Sequence, residues 1–79
     1  MIDYVTIKIN FPNGMTASDF SMRYILADTL EERDIGRVIN EGTGDRYMEI
    51  SVKLKEGKAL EDITSLLRSL NLFNQAELF

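Results

Sequence analysis

The sequence predicts an α+β fold in which four antiparallel strands form one sheet and two helices cover one of its faces. Two observations carry this prediction. The hydrophobic periods run strand, helix, strand, strand, helix, strand and fill nearly all 79 residues. The two middle strands also meet at a short glycine-rich turn, Gly42-Thr43-Gly44. A chain of this length holds one core, so residues 1–79 are expected to form a single domain.

The first strand is predicted from Asp3 to Phe11, because apolar and polar residues alternate there with a period of two. Pro12-Asn13-Gly14 ends it, since proline fixes φ and Asn-Gly accepts positive φ. The buried set is Val5, Ile7, Ile9 and Phe11, and the opposite set is Tyr4, Thr6, Lys8 and Asn10.

The first helix is predicted from Ala17 to about Glu32. Thr16 or Ser18 can cap it, and Thr16 with Asp19 resembles a capping box in which Asp replaces Glu. Its apolar residues surround most of the helix, which indicates either a partner on the outer face or an imperfect helical pattern. The residues expected to face the sheet are Phe20, Tyr24, Ala27 and Leu30, with Leu26 beside them and Met22 and Ile25 on the far side.

The second strand is predicted from Ile35 to Glu41, and its inward face is ambiguous because Val38 and Ile39 are adjacent. The segment 41–45 is predicted to be a hairpin with positive φ at its glycines. A phosphate-binding loop is disfavoured, because it needs a longer glycine spacing, a Lys-Ser/Thr pair and a following helix.

The remaining elements show clear periods. In the third strand, Met48, Ile50, Val52 and Leu54 alternate with Tyr47, Glu49, Ser51 and Lys53. The second helix, about Ala59 to Ser69, should dock through Leu60, Ile63, Leu66, Leu67 and Leu70, and Asn71 is expected to end it. A last strand from Gln75 to Phe79 would place Ala76 and Leu78 inward.

Right-handed crossovers place the first and third strands at the centre of the sheet and the other two at its edges. This βαββαβ order is that of the ferredoxin-like sandwich. The face without helices would then be open, and its central residues are predicted to form a protein interface, although such pairs also stabilise sheets by themselves. The predicted interface residues are Tyr4, Thr6, Lys8, Tyr47, Glu49 and Ser51.

The composition of the chain excludes several kinds of catalytic and metal site. The chain has neither histidine nor cysteine, which excludes Ser-His and Cys-His nucleophiles and ordinary zinc sites. We therefore predict a protein that is not an enzyme and that needs no cofactor or metal. Absence of cysteine favours the cytoplasm, and the sequence shows neither a signal-peptide pattern nor an apolar run of the ~20 residues that cross a membrane.

An acidic patch follows the first helix and consists of Asp28, Glu31, Glu32 and Asp34. It is interpreted either as a solvated helix end or as a contact for a basic partner. A calcium loop would need alternating ligands and a central glycine, which this stretch lacks.

Nucleic-acid binding is disfavoured. Tyr4 and Tyr47 lie on the predicted central strands, where RNA-recognition folds stack bases. The segment 45–52 lacks the basic-Gly-aromatic run of those folds, and the net charge of −4 has the wrong sign.

The run of strand, Gly-x-Gly hairpin, alternating strand and leucine-rich helix over 35–79 resembles small ferredoxin-like bacterial proteins, including toxin-immunity proteins. That resemblance implies a non-enzymatic module that masks an effector protein through its open sheet face. The alternative is a small-ligand-binding regulatory domain of the amino-acid-sensing type. Such domains have a glycine-bearing turn between the first strand and the first helix, and Pro12-Asn13-Gly14 matches that feature only loosely. A homodimer through an edge strand or the sheet face is expected in addition.

Overall fold

A computed structural model describes residues 4–79, so the predicted start of the first strand at Asp3 lies outside the described residues. The four strands form one antiparallel sheet in the order β2-β3-β1-β4, with two helices, as the sequence predicts. The elements are β1 Tyr4–Asn10, α1 Ala17–Glu32, β2 Gly36–Thr43, β3 Tyr47–Leu54, α2 Leu60–Ser69, a 3-10 turn Phe73–Gln75 and β4 Ala76–Leu78.

The core lies between the helices and one face of the sheet. The inward residues of the two central strands are buried, as the alternation predicts, except Leu54, which is partly buried. Each buried residue contributes roughly 1.5–3 kcal/mol by leaving water. No polar or charged side chain of the described residues is buried with them. The central members of this core are Val5, Ile7, Ile9, Met48, Ile50 and Val52 from the sheet and Leu26, Leu30, Ile63, Leu66 and Leu67 from the helices.

Helix α1 begins with the predicted capping box. The Thr16 N–H donates to Asp19 Oδ2 at 2.8 Å, and the Asp19 N–H donates back to Thr16 Oγ1 at 3.3 Å. The two bonds satisfy backbone donors that would otherwise have no partner in the helix.

The predicted orientation of α1 is wrong for three residues. Phe20 and Tyr24 are exposed, whereas Met22, which we expected on the far side, packs against the core beside Leu26 and Leu30. Apolar residues surround most of this helix, so their period does not determine which side faces the sheet.

Both helices end in the same backbone motif. Asp34 and Asn71 adopt positive φ, at 58° and 60°. The residue after each returns to the helix, since the Ile35 N–H donates to the Leu30 carbonyl and the Leu72 N–H to the Leu67 carbonyl. This is the Schellman arrangement, which directs Ile35 and Leu72 into the core. The prediction that Asn71 ends α2 is confirmed.

Strand β2 contains a β-bulge, which explains its ambiguous sequence. Val38 pairs with Val52, but Asn40 pairs with the adjacent Ser51, so Ile39 is an extra residue. The strand begins one residue later and ends two residues later than predicted. Gly36 is required at its start, because a Cβ there would lie 2.5 Å from the Lys53 carbonyl oxygen.

The hairpin after β2 is present, but its predicted positive φ is wrong. Among the described glycines, positive φ occurs at Gly14 and Gly57 instead. At Gly44 the absence of a side chain serves packing, since a Cβ would overlap the Tyr47 ring.

Two smaller differences concern the C-terminal half. Leu60 is half exposed, so the expected docking of α2 through this residue is wrong, and Ile63, Leu66 and Leu67 anchor the helix instead. Strand β4 is shorter than predicted, although the backbone of Phe79 still pairs with Thr6.

Candidate interaction surface

The face of the sheet opposite the helices is open, and the strand register assigns its residues. Directly paired residues of antiparallel strands point to the same side. The pairing of β1 with β3 confirms that the six residues predicted as the interface lie on this side together. We call this surface the open face: it consists of Tyr4, Thr6, Lys8 and Asn10 of β1, Tyr47, Glu49, Ser51 and Lys53 of β3, Arg37, Asn40 and Gly42 of β2, and Glu77 of β4.

At one end of the open face, Tyr4 pairs with Lys53. The Lys53 Nζ lies 5.8 Å from the centre of the Tyr4 ring, within range of a cation–π contact. Tyr4 is nevertheless 55% exposed. A large amphipathic ring held in this way loses little conformational entropy on binding, which favours contact with another protein.

The middle of the open face is uncharged. Thr6 Oγ1 and Ser51 Oγ are 3.0 Å apart across β1 and β3 and share a hydrogen bond. The pair uses part of the hydrogen-bonding capacity of each hydroxyl, and each oxygen retains capacity for a partner.

At the other end, Lys8 lies over Tyr47. The Lys8 Nζ is 4.8 Å from the centre of the ring, although its direct pairing partner is Glu49. Gly44 lets the ring of Tyr47 lie against the turn. The position of the Tyr47 ring therefore depends on the Lys8 side chain above it and on Gly44 beside it.

Charge is divided unevenly along the strands of the open face. One row contains the cations Arg37 and Lys53, and a row four residues away along β3 contains Glu49, Lys8 and Glu77. Within residues 4–79 the sole ion pair is that of Asp34 with Lys55, so both glutamates of the open face lack a cationic partner in the described part. The open face thus has a basic row and a row with acidic excess.

Sequence reasoning missed the contributions of the edge strands to this surface. Arg37, Asn40 and Glu77 join the open face only through their pairing partners Lys53, Ser51 and Lys8. For β2 the bulge at Ile39 conceals the register. For β4 the predicted inward positions of Ala76 and Leu78 imply that Glu77 points outward, but they do not show which residue of β1 lies beside it. The alternation of the third strand likewise places Lys53 on the outward side.

The four carboxylates of the predicted acidic patch are all exposed, and they differ in their partners. The Glu31 Oε2 accepts a hydrogen bond from the Val38 N–H at 3.0 Å, and Asp34 pairs with Lys55 at 3.2 Å. Asp28 and Glu32 remain exposed on α1. Two of the four carboxylates thus have partners within the fold. Among residues 4–79 there is no cluster of three or more carboxylates that could hold a metal ion.

The edge of β2 is interrupted. The outward N–H of Val38 is already bonded to Glu31. The bulge at Ile39 then shifts the hydrogen-bond phase of the strand. An added strand therefore meets no continuous row of free groups, and this disfavours a dimer through the β2 edge. Strand β4, the other edge, has only three residues.

An apolar groove lies at the end of the sheet on the side of the helices. Val5, Leu54 and Leu78 of the sheet line it together with Leu60 at the start of α2. Its volume is about 350 Å³, and Lys58 is the cation in its lining.

No protein-family model matches this chain, and no curated protein or solved structure is significantly similar to it. Among the described residues, no helix combines the length and the apolar character that crossing a membrane requires.

Proposed function

We propose that this chain is a non-enzymatic binding module of the bacterial cytoplasm that masks an effector protein with its open face, as immunity proteins do. One observation carries the proposal. The open face exposes Tyr4 and presents Tyr47 on the two central strands, and each ring is held by a lysine of the neighbouring strand. Prepositioned aromatic side chains on a rigid sheet are typical anchors of protein interfaces.

Charge supports a protein rather than a nucleic acid as the partner. The net charge of the chain is −4, and the open face mixes cations with carboxylates. Nucleic acid would gain affinity from a continuous basic surface. A partner with both acidic and basic groups fits the two charged rows of the open face better.

The proposal is tested on the purified complex. Capture of the tagged chain from its own cells should recover a stoichiometric protein. Tyr4→Ser, Tyr47→Ser and Glu49→Arg are each expected to weaken that complex by more than about tenfold, because central interface anchors contribute about 2 kcal/mol or more. Calorimetry of the recovered pair measures the change.

Matched controls separate binding from folding. Tyr24→Ser changes an exposed tyrosine of α1, and Glu32→Arg changes an exposed carboxylate of the same helix. Both should leave the affinity within about twofold. Unchanged binding after the three open-face substitutions, with the circular dichroism spectrum intact, would reject the open face as the interface.

Masking requires a further measurement. The captured partner should inhibit growth when it is expressed alone, and coexpression of the wild-type chain should restore growth. A chain carrying the three open-face substitutions should fail to restore it. A partner that is harmless by itself would contradict the masking role and leave only a binding role.

The alternative function is regulation by a small ligand, and the groove beside Leu60 favours it. A ligand at ten times its dissociation constant would raise the melting temperature by roughly 6–11 °C. A thermal-shift screen with amino acids and nucleotides detects such a change. Leu60→Ser, at a half-exposed position of the groove, should abolish the shift if the ligand binds there.

A further inference from the structure

We infer that in the absence of its partner the open face binds a second copy of this chain, with the two sheets packed face to face and their strands antiparallel. This inference rests on the proposed role of the open face as a contact surface and adds a specific occupant.

The rows of the open face are spaced regularly. Lys53, Ser51 and Glu49 follow one another on β3, and Tyr4, Thr6 and Lys8 lie beside them on β1. Adjacent rows are about 7 Å apart, since each step covers two residues of a strand. The central row of Thr6, Ser51 and Asn40 is uncharged.

A two-fold axis can run along this central row, midway between the two sheets. It places the row of Lys53 in one copy over the row of Glu49 in the second copy. Lys53 of one copy then lies over Glu49 of the second copy, and Tyr4 lies over Lys8 of the second copy. Each contact occurs twice by symmetry. Aligned sheets pack about 10 Å apart with strands within about 30° of each other, a distance that lysine and glutamate side chains from both sides can span.

The other two-fold arrangement is disfavoured. A two-fold axis parallel to the strands would place each row of one copy opposite the same row of the second copy. With the axis between β1 and β3, Glu49 would lie over Lys8 of the second copy, but Lys53 would lie over Tyr4 and gain no carboxylate partner. The row with two cations would face the same row, and the row with acidic excess would face itself. Like charges at close approach cost free energy in a partly desolvated interface. The separation of charge along the strands therefore selects the antiparallel arrangement.

The area of the sheet sets the expected affinity. Strands of 7, 8, 8 and 3 residues give a face of roughly 400 Å², so two copies bury at most about 800 Å². A standard stable interface buries about 1,600 Å². The dimer is therefore weak, with a dissociation constant on the order of 100 μM, and an effector protein can displace the second copy.

Sedimentation equilibrium of the purified chain tests this inference at concentrations up to about 1 mM, well above the expected dissociation constant. The average mass should rise above 9.0 kDa as concentration increases. Lys53→Glu and Glu49→Lys should each weaken self-association at least tenfold. The double variant Lys53→Glu/Glu49→Lys should recover wild-type association, because the ion pairs re-form with exchanged signs.

The controls match each change in net charge. Glu32→Lys on α1 and Lys58→Glu beside the groove alter the same charges away from the open face and should change self-association less than twofold. A mass of 9.0 kDa at every concentration would overturn the inference. Failure of the double variant to recover association would overturn it as well.

These results are distinguishable from failure of the proposed function. A strictly monomeric chain whose partner complex is still broken by Tyr4→Ser would overturn self-association and leave the masking role intact. A dimer that is restored by the charge exchange, in a chain that captures no protein, would support self-association and remove the masking role.

Discussion

The ring of Tyr47 occupies the space that a side chain at Gly44 would need, so the turn between β2 and β3 and the open face share one packing contact. Because a Cβ at residue 44 would overlap the ring, the turn and the ring can coexist only with glycine there. The same ring receives the Lys8 ammonium 4.8 Å from its centre. A change in the turn is therefore transmitted to the surface proposed to bind.

Gly44→Ala is expected to displace the Tyr47 ring and to lower the free energy of unfolding by about 1–3 kcal/mol, the usual range for overpacking. Urea denaturation measures this change. Gly42→Ala is the matched control, because nothing lies within 4 Å of a Cβ at that position. Equal effects of the two substitutions would show that the Tyr47 ring does not depend on Gly44.

Asn71→Ala should destabilise the chain by about 1 kcal/mol, whereas Asn71→Gly should be neutral or slightly stabilising. The reason is the φ of 60° at Asn71, which alanine adopts at greater cost than asparagine or glycine. Thermal unfolding of both variants, with exposed Ser65→Ala as a control, gives the comparison. A tolerated alanine would mean that α2 ends without the Schellman motif in solution.

Glu31→Ala is expected to expose the Val38 amide at the edge of β2 and to speed its hydrogen exchange about tenfold or more, because the amide loses its acceptor. Glu31→Gln keeps an acceptor oxygen and should preserve most of the protection. The neighbouring Glu32→Ala should have no effect on this amide. Unchanged exchange in Glu31→Ala would show that the 3.0 Å bond from the Val38 N–H to Glu31 does not protect this edge of β2.

Ile7→Ala should cost about 2–5 kcal/mol, since Ile7 is fully buried at the centre of the sheet. A domain of this size has a total stability of roughly 4–12 kcal/mol, so the loss is a large share of the total. Ile39→Ala at the exposed bulge should cost less than about 1 kcal/mol. Similar losses at the two positions, measured by denaturation with urea, would contradict the assigned core.

The fold was predictable because β1 and β3 alternate without interruption, and these two strands define both the core and the open face. Local signals also succeeded at Thr16 and Asn71, where the chemistry of a single side chain determines where a helix begins or ends. In such cases the information lies within a few neighbouring residues.

Prediction failed where the outcome depends on distant contacts. The apolar residues of α1 surround the helix, so only packing against the sheet determines that Met22 is covered and Phe20 is exposed. The bulge at Ile39 changes the register in the middle of β2, and no local pattern identifies which residue is extra. For the same reason Arg37 could not be assigned to the open face from the sequence, whereas the inward positions predicted for Ala76 and Leu78 implied the outward position of Glu77.

The interrupted edge of β2 and the shortness of β4 have a consequence for how identical chains can assemble. Assembly by strand addition does not stop at a fixed size, because each added molecule has a free edge strand with which the next can pair. Such assembly yields fibres. Here the Glu31 carboxylate and the extra residue Ile39 obstruct strand addition at β2, and β4 is only three residues long. Contact between two open faces, by contrast, occupies both faces, so assembly stops at two molecules.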